Sequence, residues 1–152
     1  MPSPSAALQE VEATLECVID SLIDGQKGLQ KTGDELKDLT LKHYFLEESL
    51  TRAAFRGELE AVLHQEGVHD IKQEGTASAS VRRAWSELKA MLGSSDHSLL
   101  ETAEQAEDAA KKAYKDALRM ELPFPVRLLL ADQFVHVVLF HDFVKYARDN
   151  RG

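Results

Sequence analysis

Glu48, Glu107 and His136 are the residues of this 152-residue sequence whose types and spacing invite metal chemistry. A di-metal centre in a helical bundle takes hard, anionic oxygens plus imidazole: one Glu from each of two helices and a Glu-x-x-His from each of the other two. The three-residue spacing sets both side chains of that motif on one helix face. The nearest matches are Gln26 in a first helix, Glu48 with Thr51 in a second, Glu104 or Glu107 in a third, and Gln133 with His136 in a fourth. Two amides stand where the pattern has carboxylates, and Thr51 is a poor substitute for histidine. The set is therefore partial. Glu48, Glu107 and His136 are the candidate ligands of an iron or manganese ion, with Gln26, Glu104 and Gln133 as a second tier.

The alternative is a core without metal. Gln26 and Gln133 then hydrogen-bond each other or Glu107, since buried polar groups need partners. Glu48 and Arg52, four residues apart, then pair on the surface of their own helix. Tyr114 reads as a core residue with a bonded hydroxyl, and His141-Asp142 as an exposed pair near the end of a helix. Other chemistry has no support: there is no glycine-rich phosphate loop, nucleophile elbow, Cys/His zinc pattern or H-E-x-x-H.

Composition narrows the partners. A formal charge of −8 with no basic patch beyond Arg82-Arg83 argues against nucleic acid. Cys17 is the one cysteine, so no intrachain disulfide forms and a reducing, cytoplasmic setting is expected. Residues 1–13 have neither a basic n-region nor an apolar h-region, so no export signal is expected there.

The elements that must position these residues are helices. Ala, Leu, Glu and Lys dominate, and the four prolines fall at the N-terminus and at one joint. Ser3-Pro4 opens a first helix with Leu8, Val11, Leu15, Val18, Leu22 and Leu29 on its stripe, which passes over Gly25 and Gln26 at mid-helix. Gly28 and Gly33 weaken its second half, and a turn is expected within residues 31–38. Asp38 caps a second helix to about Glu66, with Leu41, Phe45, Glu48, Arg52, Phe55, Leu59 and Val62 on its stripe. A short helix around Trp85 follows, before Gly93-Ser94-Ser95. Ser95 or Asp96 caps the next long helix, carrying Leu100, Ala103, Glu107, Ala110, Tyr114 and Ala117. Leu122-Pro123-Phe124-Pro125 makes a sharp joint into a last helix running to about Arg148.

That last helix holds the densest apolar stretch, residues 126–144, broken by Arg127, Asp132, Gln133, His136, His141 and Asp142. Two aspartates and an arginine make membrane insertion costly, so a buried helix is expected. Leu128, Val135, Leu139 and Phe143 lie off the Val126, Leu130, Val137, Val144 stripe, and one core does not cover both sets. A homodimer through this helix is the expectation.

Two short turns and one long middle connection give a single all-α domain over residues 1–152: a ferritin-like four-helix bundle whose crossover, containing a short helix, joins helices 2 and 3. Asp24-Gly25-Gln26-Lys27-Gly28, Glu58-Leu59, Val81 to Trp85, Glu107-Asp108 through Lys112-Ala113-Tyr114, and Leu122-Pro123 with Gln133 and His141-Asp142 carry a resemblance over nearly the whole chain. The sequence resembles an uncharacterised bacterial family of ferritin-like four-helix-bundle proteins, itself a domain of unknown function. The resemblance implies the fold and a bacterial source. Such relatives usually carry Glu where this chain has Gln26. Two functions follow: a non-enzymatic bundle with a degenerate metal site, stress-associated or engaged in interactions, or an iron- or manganese-binding protein handling oxygen or peroxide.

Overall fold

The computed structural model describes residues 4–67 and 95–150, with side chains from residue 11 onward. Four helices and no strand occur among the described residues: α1 (Pro4–Glu35), α2 (Leu39–Gln65), α3 (Asp96–Leu118) and α4 (Phe124–Asp149). The short helix expected around Trp85 lies outside the described residues.

Helix α1 packs on α2 and α3, and α4 packs on α3 and α2, so α2 and α3 form one diagonal of the bundle and α1 and α4 the other. Asp96, the first residue of α3, accepts hydrogen bonds from the backbone N–H groups of Lys37 (2.8 Å) and Asp38 (3.0 Å) in the turn between α1 and α2. That carboxylate ties the start of α3 to the start of α2. The two diagonal helices therefore run in the same direction, each antiparallel to its neighbours.

The helix ends follow the capping rules. Asp38 accepts from Leu41 N–H and Ser95 from Ser98 N–H, each satisfying a first-turn donor. Of the two residues expected as cap of α3, Ser95 is the one that caps, which frees Asp96 for the turn. Pro123 precedes α4, and Arg127 donates to the carbonyls of Leu118 and Met120, closing the end of α3.

The end of α1 at Glu35 falls within the turn region expected at residues 31–38, and the helix runs unbroken through Gly28 and Gly33. The reason is helix approach. A Cβ built on Gly33 would lie 2.9 Å from Cγ and Cδ2 of Leu46, so the glycine is where α2 seats a leucine against α1. The missing side chain helps the hairpin close rather than ending the helix.

The apolar core falls into two clusters. One lies toward the α1–α2 turn and includes Leu29, Leu41, Phe45, Leu100, Ala103, Ala106, Phe140 and Val144. The other includes Leu15, Val18, Leu22, Leu59, Ala110, Tyr114, Val126, Leu130 and Val137. The gap between the clusters falls around Gly25 on α1, Glu48 to Arg52 on α2, Glu107 on α3 and, on α4, between Val137 and Phe140, just past His136.

The glycines give a paired test. Gly57 lies exposed inside α2 with nothing within 4 Å of a built Cβ, so Gly57→Ala raises stability by about 0.5–1 kcal/mol through helix propensity. Gly33→Ala gains the same propensity but must push Leu46 aside, and overpacking costs about 1–3 kcal/mol. Urea melts of the two variants should therefore shift in opposite directions.

Candidate functional site

The level between the clusters is built around a buried arginine. Arg52 on α2 is 1% exposed, and three of its nitrogens donate to carboxylates. Nη1 and Nη2 bond to Oε2 (3.0 Å) and Oε1 (2.6 Å) of Glu107 on α3, while Nε bonds to Oε2 of Glu48 (2.8 Å) one turn back on α2. The paired bonds to Glu107 are the fork-to-carboxylate geometry that suits guanidinium, and they cross the diagonal of the bundle. The ring of Phe140 lies 5.6 Å from Cζ and adds a cation–π contact from α4.

Helix α1 contributes an absence of side chain. A Cβ on Gly25 would sit 3.5 Å from Nη1 of Arg52, in van der Waals contact, so any longer side chain there would meet the guanidinium. Gly25, rather than Gln26, faces the cation. Gln26 is half-buried, and its backbone carbonyl accepts from Ser49 Oγ at 2.9 Å.

His136 on α4 completes the layer. Its Nε2 lies 2.8 and 2.9 Å from the two oxygens of Glu48, and an ionised carboxylate only accepts, so Nε2 carries the proton and donates. The imidazole packs edge-on to Phe55, ring centroids 5.1 Å apart, and its side chain is 42% exposed. The layer is thus sealed on three sides and meets solvent at His136.

Electrostatics set the protonation of the buried groups. Burial by itself would lower the Arg52 pKa, but Glu107 and Glu48 outweigh it and hold the guanidinium above its ordinary range. Burial pushes the Glu107 carboxyl up, opposed by Arg52. Tyr114 is also pushed up by burial, and its hydroxyl donates to Gln133 Oε1 at 2.8 Å, so it serves as a neutral donor.

Of the three expected ligands, Glu48 and Glu107 both bond to Arg52, and His136 joins the layer through Glu48. The pairing of Glu48 with Arg52, expected on the helix surface, is buried, because position 52 lies on the core stripe and Glu107 supplies the second carboxylate. Gln133 joins neither Gln26 nor Glu107: it accepts from Tyr114 and donates to the Phe55 carbonyl at 3.0 Å. Thr51 donates to the Glu47 carbonyl of its own helix and contributes nothing to the layer.

His141 also differs from expectation. It is 6% exposed rather than on the surface, because its ring turns toward α3, while Asp142 stays exposed and hydrogen-bonds to its Nδ1 at 3.1 Å. Nε2 faces Asp108 and Glu104, the second-tier candidate, at 2.8 and 3.8 Å. Glu104 is also held by Arg148. Arg148 and Asp108 were not legible as site residues, although Glu104 and Asp108 share a helix face at i and i+4.

The model of one family, the domain of unknown function DUF2383, matches residues 10–120. The chain belongs to that family. The DUF2383 match takes in most of α1 with all of α2 and α3, hence Glu48, Arg52, Glu104, Glu107 and Asp108. No curated protein matches the chain.

Removing one partner from a buried charge network leaves the rest unpaired, at about 3–5 kcal/mol. Arg52→Ala should lower unfolding free energy by that amount. Joint replacement of Arg52 by Met and Glu107 by Leu should recover a good part of it, as measured by denaturant melts.

Proposed function

We propose that this DUF2383 protein is a ferritin-like bundle of bacterial origin that keeps an inward-facing polar layer but has filled it with Arg52, and that it acts as a non-enzymatic interaction protein in the cytoplasm. The observation that carries this reading is the fork of Arg52 on Glu107. Both oxygens of the Glu107 carboxylate accept from a permanent cation, and that cation repels a second one at close range. Gly25 stands where a carboxylate from α1 would be needed, and its missing side chain suits the guanidinium instead. The parallel run of α2 and α3 supports the ferritin-like assignment, since the connection between them must return along the bundle.

The competing reading is an iron or manganese protein handling oxygen or peroxide through Glu48, Glu107 and His136. Aerobic Fe(II) oxidation separates the two. The proposal expects a rate equal to that of buffer with iron alone. A faster rate that Glu107→Gln or His136→Ala abolishes, and that His141→Ala leaves intact, would overturn it.

The interaction surface we assign is the outer face of α4. Phe124, Leu128, Val135, Leu139 and Tyr146 are all more than half exposed, and at about 100° per residue they fall within about 60° of one another, opposite the buried stripe. By length and composition α4 could also cross a membrane, a property shared by core helices, and Val126, Leu130, Val137 and Val144 on its other face are fully buried in the bundle. Phe143 is partly covered within the chain by Tyr44, ring centroids 4.8 Å apart, and belongs to the edge of the patch. A homodimer pairing two such stripes removes them from water. Sedimentation velocity at micromolar concentration should give a dimer, and Leu139→Glu a monomer; a monomeric wild type refutes the assignment.

A further inference from the structure

We infer that Glu104, Asp108 and His141 form a binding site for one first-row divalent cation between α3 and α4, separate from the Arg52 layer. One nitrogen and two carboxylate oxygens, one from each residue, lie within 4.8 Å of one another, so that a small side-chain adjustment lets a single ion touch all three. Glu104 and Asp108 are one turn apart on α3 and flank Glu107, so the same helix turns one carboxylate to Arg52 and two toward α4.

His141 supplies the second, independent observation. The residue is 6% exposed, and its Nε2 is buried without an aligned hydrogen-bond partner. Asp108 Oδ1 is near, at 2.8 Å, but lies off the line of a ring N–H. A buried nitrogen in that state carries a desolvation cost of about 1–3 kcal/mol, which coordination would remove.

The surroundings of the ligands fit the same role. Asp142 lies 3.1 Å from Nδ1 of His141 and orients the ring, so that Nε2 is directed into the cluster, where a bound ion would take the place of a proton. Arg148 holds Oε2 of Glu104, leaving Oε1 to face His141. Asp108 is more than half exposed, which gives an ion an entrance. Mixed imidazole and carboxylate donors suit Zn(II), Mn(II) or Fe(II), and two carboxylates with neutral imidazole match a divalent charge.

Titration of chelator-stripped full-length protein with Zn(II), followed by calorimetry, tests the site, with Co(II) absorption as a second readout. The expected result is one Zn(II) per chain, lost in His141→Ala and unaffected by His136→Ala. Asp142→Asn changes an exposed side chain and keeps the fold, yet should weaken Zn(II) about 10- to 100-fold by freeing the imidazole. Absence of binding by the wild type, or binding that His141→Ala and Asp142→Asn leave unchanged, overturns the inference. Neither outcome bears on Fe(II) oxidation at Arg52, so the two readings fail separately.

Discussion

A guanidinium with 1% exposure at the centre of a four-helix bundle must be satisfied from the side chains around it, and the geometry of this protein follows from how that is done. Glu48 comes from one turn back on the same helix and fixes the side chain of Arg52 locally. Glu107 comes from across the diagonal and fixes how far α3 is shifted along α2, since a slip of one residue, about 1.5 Å along the axis, would break the paired bonds. Asp96 sets the same register from the end of the bundle by binding the α1–α2 turn. Two polar devices, one central and one terminal, thus specify an alignment that two apolar clusters alone would leave loose.

The helices were legible because their stripes are long and their caps chemically explicit: Asp38, Ser95 and the Pro123-Pro125 joint mark starts that the structure keeps. The end of α1 within residues 31–38 was legible too, but the role of Gly33 was not, because a glycine that seats Leu46 looks in sequence like one that weakens a helix. Only the approach of a second helix distinguishes the two. The polar layer was visible as interruptions in the stripes at Gly25, Glu48, Arg52 and Glu107. Its chemistry was not, because spacing within α2 says that Glu48 and Arg52 can pair but not that a carboxylate from α3 will reach the same guanidinium.

His136 and His141 show how far a helix face can be read. They are five residues apart, about 140° around the axis, and so point to different neighbours. His136 meets α2 at Glu48, and His141 meets α3 at Asp108 and Glu104. Sequence spacing selected His136, because Gln133 three residues earlier imitates the Glu-x-x-His motif. Burial favours the other: the His136 side chain is 42% exposed and hydrogen-bonded, whereas His141 is enclosed with its Nε2 unsatisfied.

The division of carboxylates along α3 explains why a cation is placed beside Arg52 rather than at it. Glu107 is fully buried and spends both oxygens on a group that cannot lose its charge, so it offers neither a free lone pair in the right direction nor a favourable potential. Glu104 and Asp108 lie three residues before it and one after, turned toward α4. There Arg148 engages Glu104 by one oxygen, and Asp108 faces the His141 ring. A helix that buries one carboxylate against an arginine therefore presents its neighbours, less than a turn away, to a histidine already fixed by Asp142. That leaves the negative charge of α3 balanced at one level and open to a cation at the next.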